Sequence, residues 1–340
     1  MKSKQSVRGI VSRVWKSLLL PAAVFVVFAL ILGERFVNAR LLLTIARQCV
    51  QPVVLAFSMA LMMSMGMMNF AIGAVLYAAV ILGVRITNLL VGSTSIPVLF
   101  VVSLLLSVGF MTLNGLLYNL LRVPAMVLSL GYALIVESLP RMLVASGCGE
   151  IGGRDGYLAQ SPYCFVILAA AFALFFVVYN YTTFGHNVRA IGQSQQVAIQ
   201  AGIPVPKTKL IVFAFSGIFV GLAAMIFIST SVKIYAASNL SSMTLIFDAM
   251  MGVFIAMFLA KYCGFPLGLV IGVATMRMLS TGLVTAGLRT TMKSISTGVF
   301  LLAVLIFSAN QARPAAWRMF RRNGRLANAE YEQSLKAAKG

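Results

Sequence analysis

Apolar runs of about 17–25 residues recur along the whole chain, and each is long enough to cross roughly 30 Å of hydrocarbon as a helix. Ten can be marked, near residues 17–33, 45–65, 70–91, 96–119, 124–144, 162–181, 209–230, 243–260, 265–283 and 292–309. A backbone in lipid must satisfy its own hydrogen bonds, so runs of this length are helices; a barrel would show shorter, alternating segments. Composition agrees, since 10% of the 340 residues are charged where soluble domains carry about a quarter. The expected fold class is all-α and polytopic, with about ten transmembrane helices.

The formal charge of +20 would suit a nucleic-acid binder if it covered a folded soluble face. It does not. Lys2, Lys4, Arg8, Arg13 and Lys16 precede the first apolar run; Arg313, Arg318, Arg321, Arg322, Arg325, Lys336 and Lys339 follow the last. Basic tails beside a membrane are the positive-inside signature. Both termini are therefore expected in the cytoplasm, with no nucleic-acid partner. The expected organisation is a basic tail over 1–16, a single transmembrane domain over 17–309 and a basic tail over 310–340. Arg35, Arg40 and Arg47 fall on the outer side in this arrangement, so the tails carry the orientation. The first apolar run lacks a small-residue cleavage site and is expected to be retained as a span. Cys49, Cys148, Cys164 and Cys263 form no CxxC pair, which argues against a zinc or redox site. Cys148 and Cys164 flank one polar loop, as free thiols or as a disulfide.

Three connections are long: 145–161 and 231–242, expected outside, and 182–208, expected inside. The chain also repeats itself. Gly115, Leu116, Leu121, Arg122, Ser129 and Gly131 match Gly282, Leu283, Leu288, Arg289, Ser296 and Gly298 without a gap. Val54-Leu55-Ala56-Phe57-Ser58 echoes Val212-Phe213-Ala214-Phe215-Ser216. Both echoes are displaced by five spans, and an odd displacement inverts the second copy. An inverted repeat relating spans 2–5 to spans 7–10 is a transporter architecture.

No GxxxxGK[ST] loop is present; Met292-Lys293-Ser294 lacks the glycine. If the chain is a pump, its motor is another chain, and that motor needs a handle. In 182–208, Ser194 can cap a short helix through Gln195, Gln196, Val197, Ala198, Ile199 and Gln200, which Gly202 can end and Pro204 and Pro206 prevent from continuing. A short, nearly uncharged helix with small Ala198 suits a groove on a partner; the plainer alternative is a connecting loop.

Here the residues resemble the ribose- and xylose-type permeases of bacterial ABC importers, over roughly 45–308. The family's Gly-x-Asp-Leu-Ser-x-Gly segment is similar to Gly66-Met67-Met68-Asn69-Phe70-Ala71-Ile72-Gly73, with Asn69 for Asp and Ala71 for Ser. Its Asn-Gly-Leu, Pro and Thr-Leu-Gly are similar to Asn114-Gly115-Leu116, Pro124 and Ser129-Leu130-Gly131, and its Leu-Asp-Ala to Phe247-Asp248-Ala249. The strongest match is Phe184-Gly185-His186-Asn187-Val188-Arg189-Ala190-Ile191-Gly192, then Ala198 and Gly202-Ile203. The family's Gly-Gly pairs and Asn-Asn-Gly are replaced by Ala260-Lys261-Tyr262-Cys263-Gly264-Phe265-Pro266 and Ser280-Thr281-Gly282. The resemblance implies a divergent importer subunit that is not itself an enzyme and binds no cofactor. ATP-Mg would sit on a partner ATPase coupled through Gly185, Arg189, Gly192, Gln196, Ala198, Gly202 and Ile203. A solute-binding protein outside and a second permease chain, identical or not, would complete an assembly in the inner membrane.

Ionisable groups within spans are costly and default to function. Glu137 and Arg141, four apart, are expected to form a structural ion pair along one helix face. Arg277 lies mid-span, needs a partner, and belongs to the candidate path or to a buried structural contact. Asp248 is expected near the outer face, as a gate or binding-protein contact. Asn69 and Asn114, near inner turns, belong to the candidate path or to turn packing. Met59, Met62, Met63, Met65, Met67 and Met68 are soft donors that could hold copper(I), yet methionine is also ordinary packing filler; no metal site is expected. His186 has no nucleophile and carboxylate beside it in the pattern catalysis needs. The leading expectation is uptake of a monosaccharide or sugar-like solute, with a nucleoside or sugar-derived signalling molecule also compatible. The rival is an ion-gradient carrier, which needs intramembrane carboxylates, and Glu137 and Asp248 are the candidates.

Overall fold

The computed structural model describes residues 7–287, apart from 34–35, 37, 93–94, 122, 145, 152–155, 232 and 261–262, and scattered positions between 292 and 306. Lys2, Lys4, the whole tail 310–340 and most of the tenth expected span lie outside the described residues, as do Arg35, Arg122, Lys261, Tyr262 and Arg289. Residues 1–287 form one compact unit, and the fold below is that unit's. In the second unit, 288–340, isolated helical positions between 292 and 306 are all that is described.

Nine of the ten expected spans are helices: α1 (Val7–Leu32), α2 (Ala39–Met63), α3 (Ala71–Val91), α4 (Ile96–Leu121), α5 (Ala125–Leu143), α6 (Tyr163–Tyr181), α9 (Val205–Ser231), α10 (Met243–Leu259) and α11 (Phe265–Thr285). Seven are long and apolar enough to cross a membrane; α10, at 17 residues, and the Leu19–Leu32 stretch of α1 are shorter. Helix α1 starts at Val7, so Arg8, Arg13 and Lys16 extend the first helix where a separate tail was expected.

The long connections hold structure that apolar periodicity does not reveal. Between α6 and α9 lie α7 (Thr183–Gln193) and α8 (Gln195–Gln200). Strands β1 (Cys148–Glu150) and β2 (Lys233–Tyr235) pair antiparallel with Gly149 opposite Ile234, tying together the two loops expected outside, and Lys233 bonds Glu150 at 2.8 Å. Cys148 and Cys164 are both free thiols.

The packing obeys the repeat. A five-span shift carries α2 to α9, α3 to α10 and α4 to α11. Helix α9 packs along α4 as α2 packs along α11; α3 packs on α4 as α10 packs on α11; α2 and α9 cross each other. At that crossing the hydroxyls of Ser58 and Ser216 hydrogen-bond. These are matched positions of the shorter echo, and equivalent residues of two inverted copies can touch only on the axis relating them. Around the axis Phe57 of α2 stacks on Phe175 of α6 at 4.8 Å, with Phe219 of α9 closing the cluster. The methionines Met59, Met62, Met63, Met65 and Met67 are buried in this same core. The α4–α9 contact is backbone-close, because Gly217 and Gly221 lie against Val108 and Leu104.

Helices α3 and α10 both begin inside the bundle. Each follows non-helical chain, 67–70 and 236–242, and Asn69, Ala71 and Ser242 are fully buried. Their starts abut: a Cβ at Gly73 would stand 2.4 Å from the Ser242 carbonyl oxygen, and Phe70 faces Phe247 at 6.3 Å. Discontinuous helices beginning where two inverted repeats meet are the architecture of a solute site.

Candidate functional site

Two regions hold the residues singled out from sequence. The first is the knob formed by α7 and α8. Thr182 caps α7, its hydroxyl accepting the Gly185 N–H. Gly185, Val188 and Ile191 turn one face to the bundle. Glycine is required twice for close approach. A Cβ at Gly185 would stand 2.3 Å from the Tyr179 carbonyl oxygen, and one at Gly192 would stand 1.8 Å from that of Ser64, in the turn after α2. Arg189 lies over the Tyr179 ring at 5.3 Å and donates to the Gly185 carbonyl at 3.3 Å, locking the α6–α7 corner.

Helix α8 is built as its sequence demands. The Ser194 hydroxyl accepts from the Val197 N–H at 3.4 Å. At the other end Gly202, with φ +77, lets its N–H reach the Ile199 carbonyl at 2.9 Å while the Ile203 N–H reaches that of Ala198 at 3.0 Å. This is a Schellman cap, which needs a left-handed residue at that place. The structure corrects one expectation. Ala198 does not face a partner; at 2% exposure it is the contact between α8 and its own bundle. Turned outward are Val197, 62% exposed, and Ile199, 55% exposed, beside exposed Gln196 and Gln200. A one-turn helix whose small residue anchors it and whose branched residues protrude is a candidate docking element. The outward pair could have been read from α8 alone, since Val197 and Ile199 flank the only residue small enough to seat against the bundle. His186 is exposed, its Nδ1 donating to the Thr182 carbonyl of the same helix at 2.9 Å.

The second region lies where α10, α11 and α2 meet. Arg277 of α11 and Asp248 of α10 pair at 3.7 Å, and the Arg277 Nε donates to the Gln48 carbonyl of α2 at 3.3 Å. Pro52, Val273, Met276 and Ser280 complete a small recess around the pair. Asp248, in the second turn of α10, thus meets Arg277 within α11. The side chains keep 24% and 44% of their surface uncovered. Charged pairs within membrane spans as a rule face a bundle interior or a water-filled cavity and not hydrocarbon.

Asn69 and Asn114 come together, but not with that pair. The Asn69 Oδ1 accepts the Ala71 N–H at 2.9 Å, capping α3, and the Asn114 Nδ2 at 3.3 Å. Both side chains are buried, and they fasten α4 to the start of α3. Glu137 and Arg141 do not pair, contrary to expectation. The Glu137 carboxylate accepts from the Leu240 and Ser242 N–H groups, and Arg141 reaches the Ala236 carbonyl at 3.4 Å. Backbone N–H groups at the buried start of a helix offer a carboxylate more than a partner four residues along a solvated face does. No regularity in the sequence signals that contact across 103 residues.

Comparison with known proteins decides the family. The model of the family described as "branched-chain amino acid transport system / permease component" matches residues 41–308. The chain belongs to this permease family. Among individual permeases it is 25% identical over 288 residues to the autoinducer 2 import system permease protein of Photorhabdus luminescens, covering 78% of this chain and 84% of that one. It is 23% identical over 294 residues to the ribose import permease protein of Bacillus subtilis, covering 83% and 89%. It is 32% identical over 154 residues to the xylose transport system permease protein of Haemophilus influenzae, covering 45% and 40%. No solved structure matches. As a permease, the chain is a multi-pass membrane protein whose knob and Asp248–Arg277 ion pair are candidates for drive and passage.

The seat of the knob gives a direct expectation for this permease. Gly192→Ala puts a methyl into the Ser64 carbonyl, and overpacking against backbone costs roughly 1–3 kcal/mol or more. Thermal unfolding of the purified variant should fall by several degrees, whereas Gly131→Ala, where a Cβ meets nothing within 4 Å, should not shift it.

Proposed function

We propose that this permease is the membrane-spanning subunit of an ATP-driven importer in the bacterial inner membrane, moving a monosaccharide or sugar-like solute by alternating access. Both termini and the α7–α8 knob face the cytoplasm. A separate ATPase, carrying ATP-Mg, receives the outward face of α8; an extracytoplasmic binding protein delivers the solute; and a second permease chain, identical or not, covers the Asp248–Arg277 face and closes the path with it. One observation carries the path: a charged pair left partly uncovered between α10 and α11, where as a rule lipid is not its neighbour. The solute class rests on the relatives named for ribose, xylose, L-arabinose and galactose transport, the autoinducer relative keeping a sugar-like ligand open. A gradient-driven carrier is less well supported, since both carboxylates it would need are engaged, Asp248 with Arg277 and Glu137 with two backbone N–H groups.

The test is uptake. Arg277→Met leaves Asp248 without its partner, a loss of order 1–3 kcal/mol for a charge-assisted contact, and initial uptake of a pentose or hexose should fall about tenfold. The charge exchange Arg277→Asp with Asp248→Arg should recover part of the loss. Uptake unchanged in Arg277→Met removes the pair from the path.

A further inference from the structure

Glu137 lies near the end of α5, is 2% exposed, and has no cation within ion-pair distance among the described residues. Its two carboxylate oxygens hold two backbone N–H groups of another element, Oε2 that of Leu240 at 2.9 Å and Oε1 that of Ser242 at 3.1 Å. The chain it grips is strained. Asn239 and Leu240 have φ of +54 and +62, and among the described residues they are the only non-glycines in the left-handed region. Asparagine tolerates that region; a leucine there is an outlier. The same turn is wedged from the far side by α3, whose Gly73 abuts the Ser242 carbonyl, and is tethered upstream by Arg141 on Ala236. Directly after it begins α10, which five residues later carries Asp248 to Arg277.

A buried carboxylate, a strained turn and a helix that begins inside the bundle, in one line, make a latch. We propose that Glu137 is a positioning residue for transport: its carboxylate holds the 239–242 turn in its strained form and so fixes α10, with Asp248, in the arrangement seen here, and its release lets the turn relax and α10 move. Strain kept at a left-handed leucine means the turn has a more relaxed alternative, and the grip on its N–H groups is the charged contact that opposes it. Such a two-conformation element is what alternating access requires of a helix at the path. The latch rests on the reading of Asp248–Arg277 as the path for its role in transport, but not for its geometry.

The experiment uses the full-length chain in membranes, free of its native cysteines, with a single reporter cysteine at Ala249, next to Asp248 and 1% exposed. Labelling by a hydrophilic maleimide reads how often α10 leaves its position. Glu137→Gln keeps the shape but turns one acceptor into an NH2 that meets an N–H. Since a hydrogen bond to a charged group is a matter of tenfold or more in equilibrium, labelling should rise about tenfold. Leu240→Gly acts the other way: it removes the left-handed penalty, favours the latched form, and should slow labelling about fivefold or more with slower uptake. A merely structural Glu137 would give the same labelling rate in every variant that accumulates. The proposal is overturned if Leu240→Gly labels as fast as the parent, and this result is available even if Glu137→Gln does not accumulate. Uptake of Arg277→Met, measured separately, tests the path alone; its failure leaves the labelling result standing.

Discussion

Replacing Val197 and Ile199 together by aspartate should abolish solute uptake, by at least about a hundredfold, while the chain reaches the membrane in normal amount. Both side chains protrude from α8 and touch little of their own bundle, so fold stability should move by no more than about 0.5 kcal/mol, as for other surface changes. Two carboxylates placed in an apolar docking face must be desolvated there without partners, at several kcal/mol in total. The measurement is paired: uptake of labelled sugar, and recovery of the ATPase when the permease is purified. Loss of both supports docking through this face. Replacing Ala198 by tryptophan should also stop uptake, by a different route, since Ala198 faces inward and the larger ring would push α8 off its seat. The two variants differ in thermal stability, which falls only for Ala198→Trp.

Replacing Gly217 by leucine should prevent the chain from accumulating at all. The glycine lies where α9 crosses α4, and a Cβ there would stand 2.7 Å from the Val108 Cα and 2.9 Å from the Ser107 carbonyl oxygen. Both are backbone atoms, so neither can rotate away. Separating the helices would break the contact beside which the Ser58–Ser216 axis pair sits. Close approach at small residues is a main source of helix association in lipid, and overpacking it should cost several kcal/mol, comparable to the whole stability of a typical domain. Gly131→Leu, at an open position, is the control and should accumulate normally. Immunoblots of membrane fractions read both.

Much of this was legible in the chain. Hydrocarbon thickness sets the length of an apolar run, which is why nine helices fall where the runs predict. The caps of α8 were readable because Ser194 and Gly202 act through local backbone geometry. The repeat was readable as faint echoes, and the Ser58–Ser216 bond is the physical reason one of them persists: residues on an axis must fit their own counterparts. What escaped reading depends on distant chain. Glu137 and Arg141 are four apart and of opposite charge, and local rules pair them; the buried start of α10 out-competes Arg141 for the carboxylate. The partner of Asp248 is Arg277, 29 residues along the chain, a pairing that no local rule picks out. Ala198 was recognisable as small, but whether a small residue faces a partner or its own bundle is a fact of packing.

Everything functional turns on the knob between α6 and α9 being the point where force enters. The most direct measurement is cross-linking from a single cysteine at Val197 in intact cells. The account predicts a covalent adduct with an ATP-binding subunit, and no labelling of that cysteine by a membrane-impermeant thiol reagent added outside. Ready labelling from outside, with no such adduct, would contradict it.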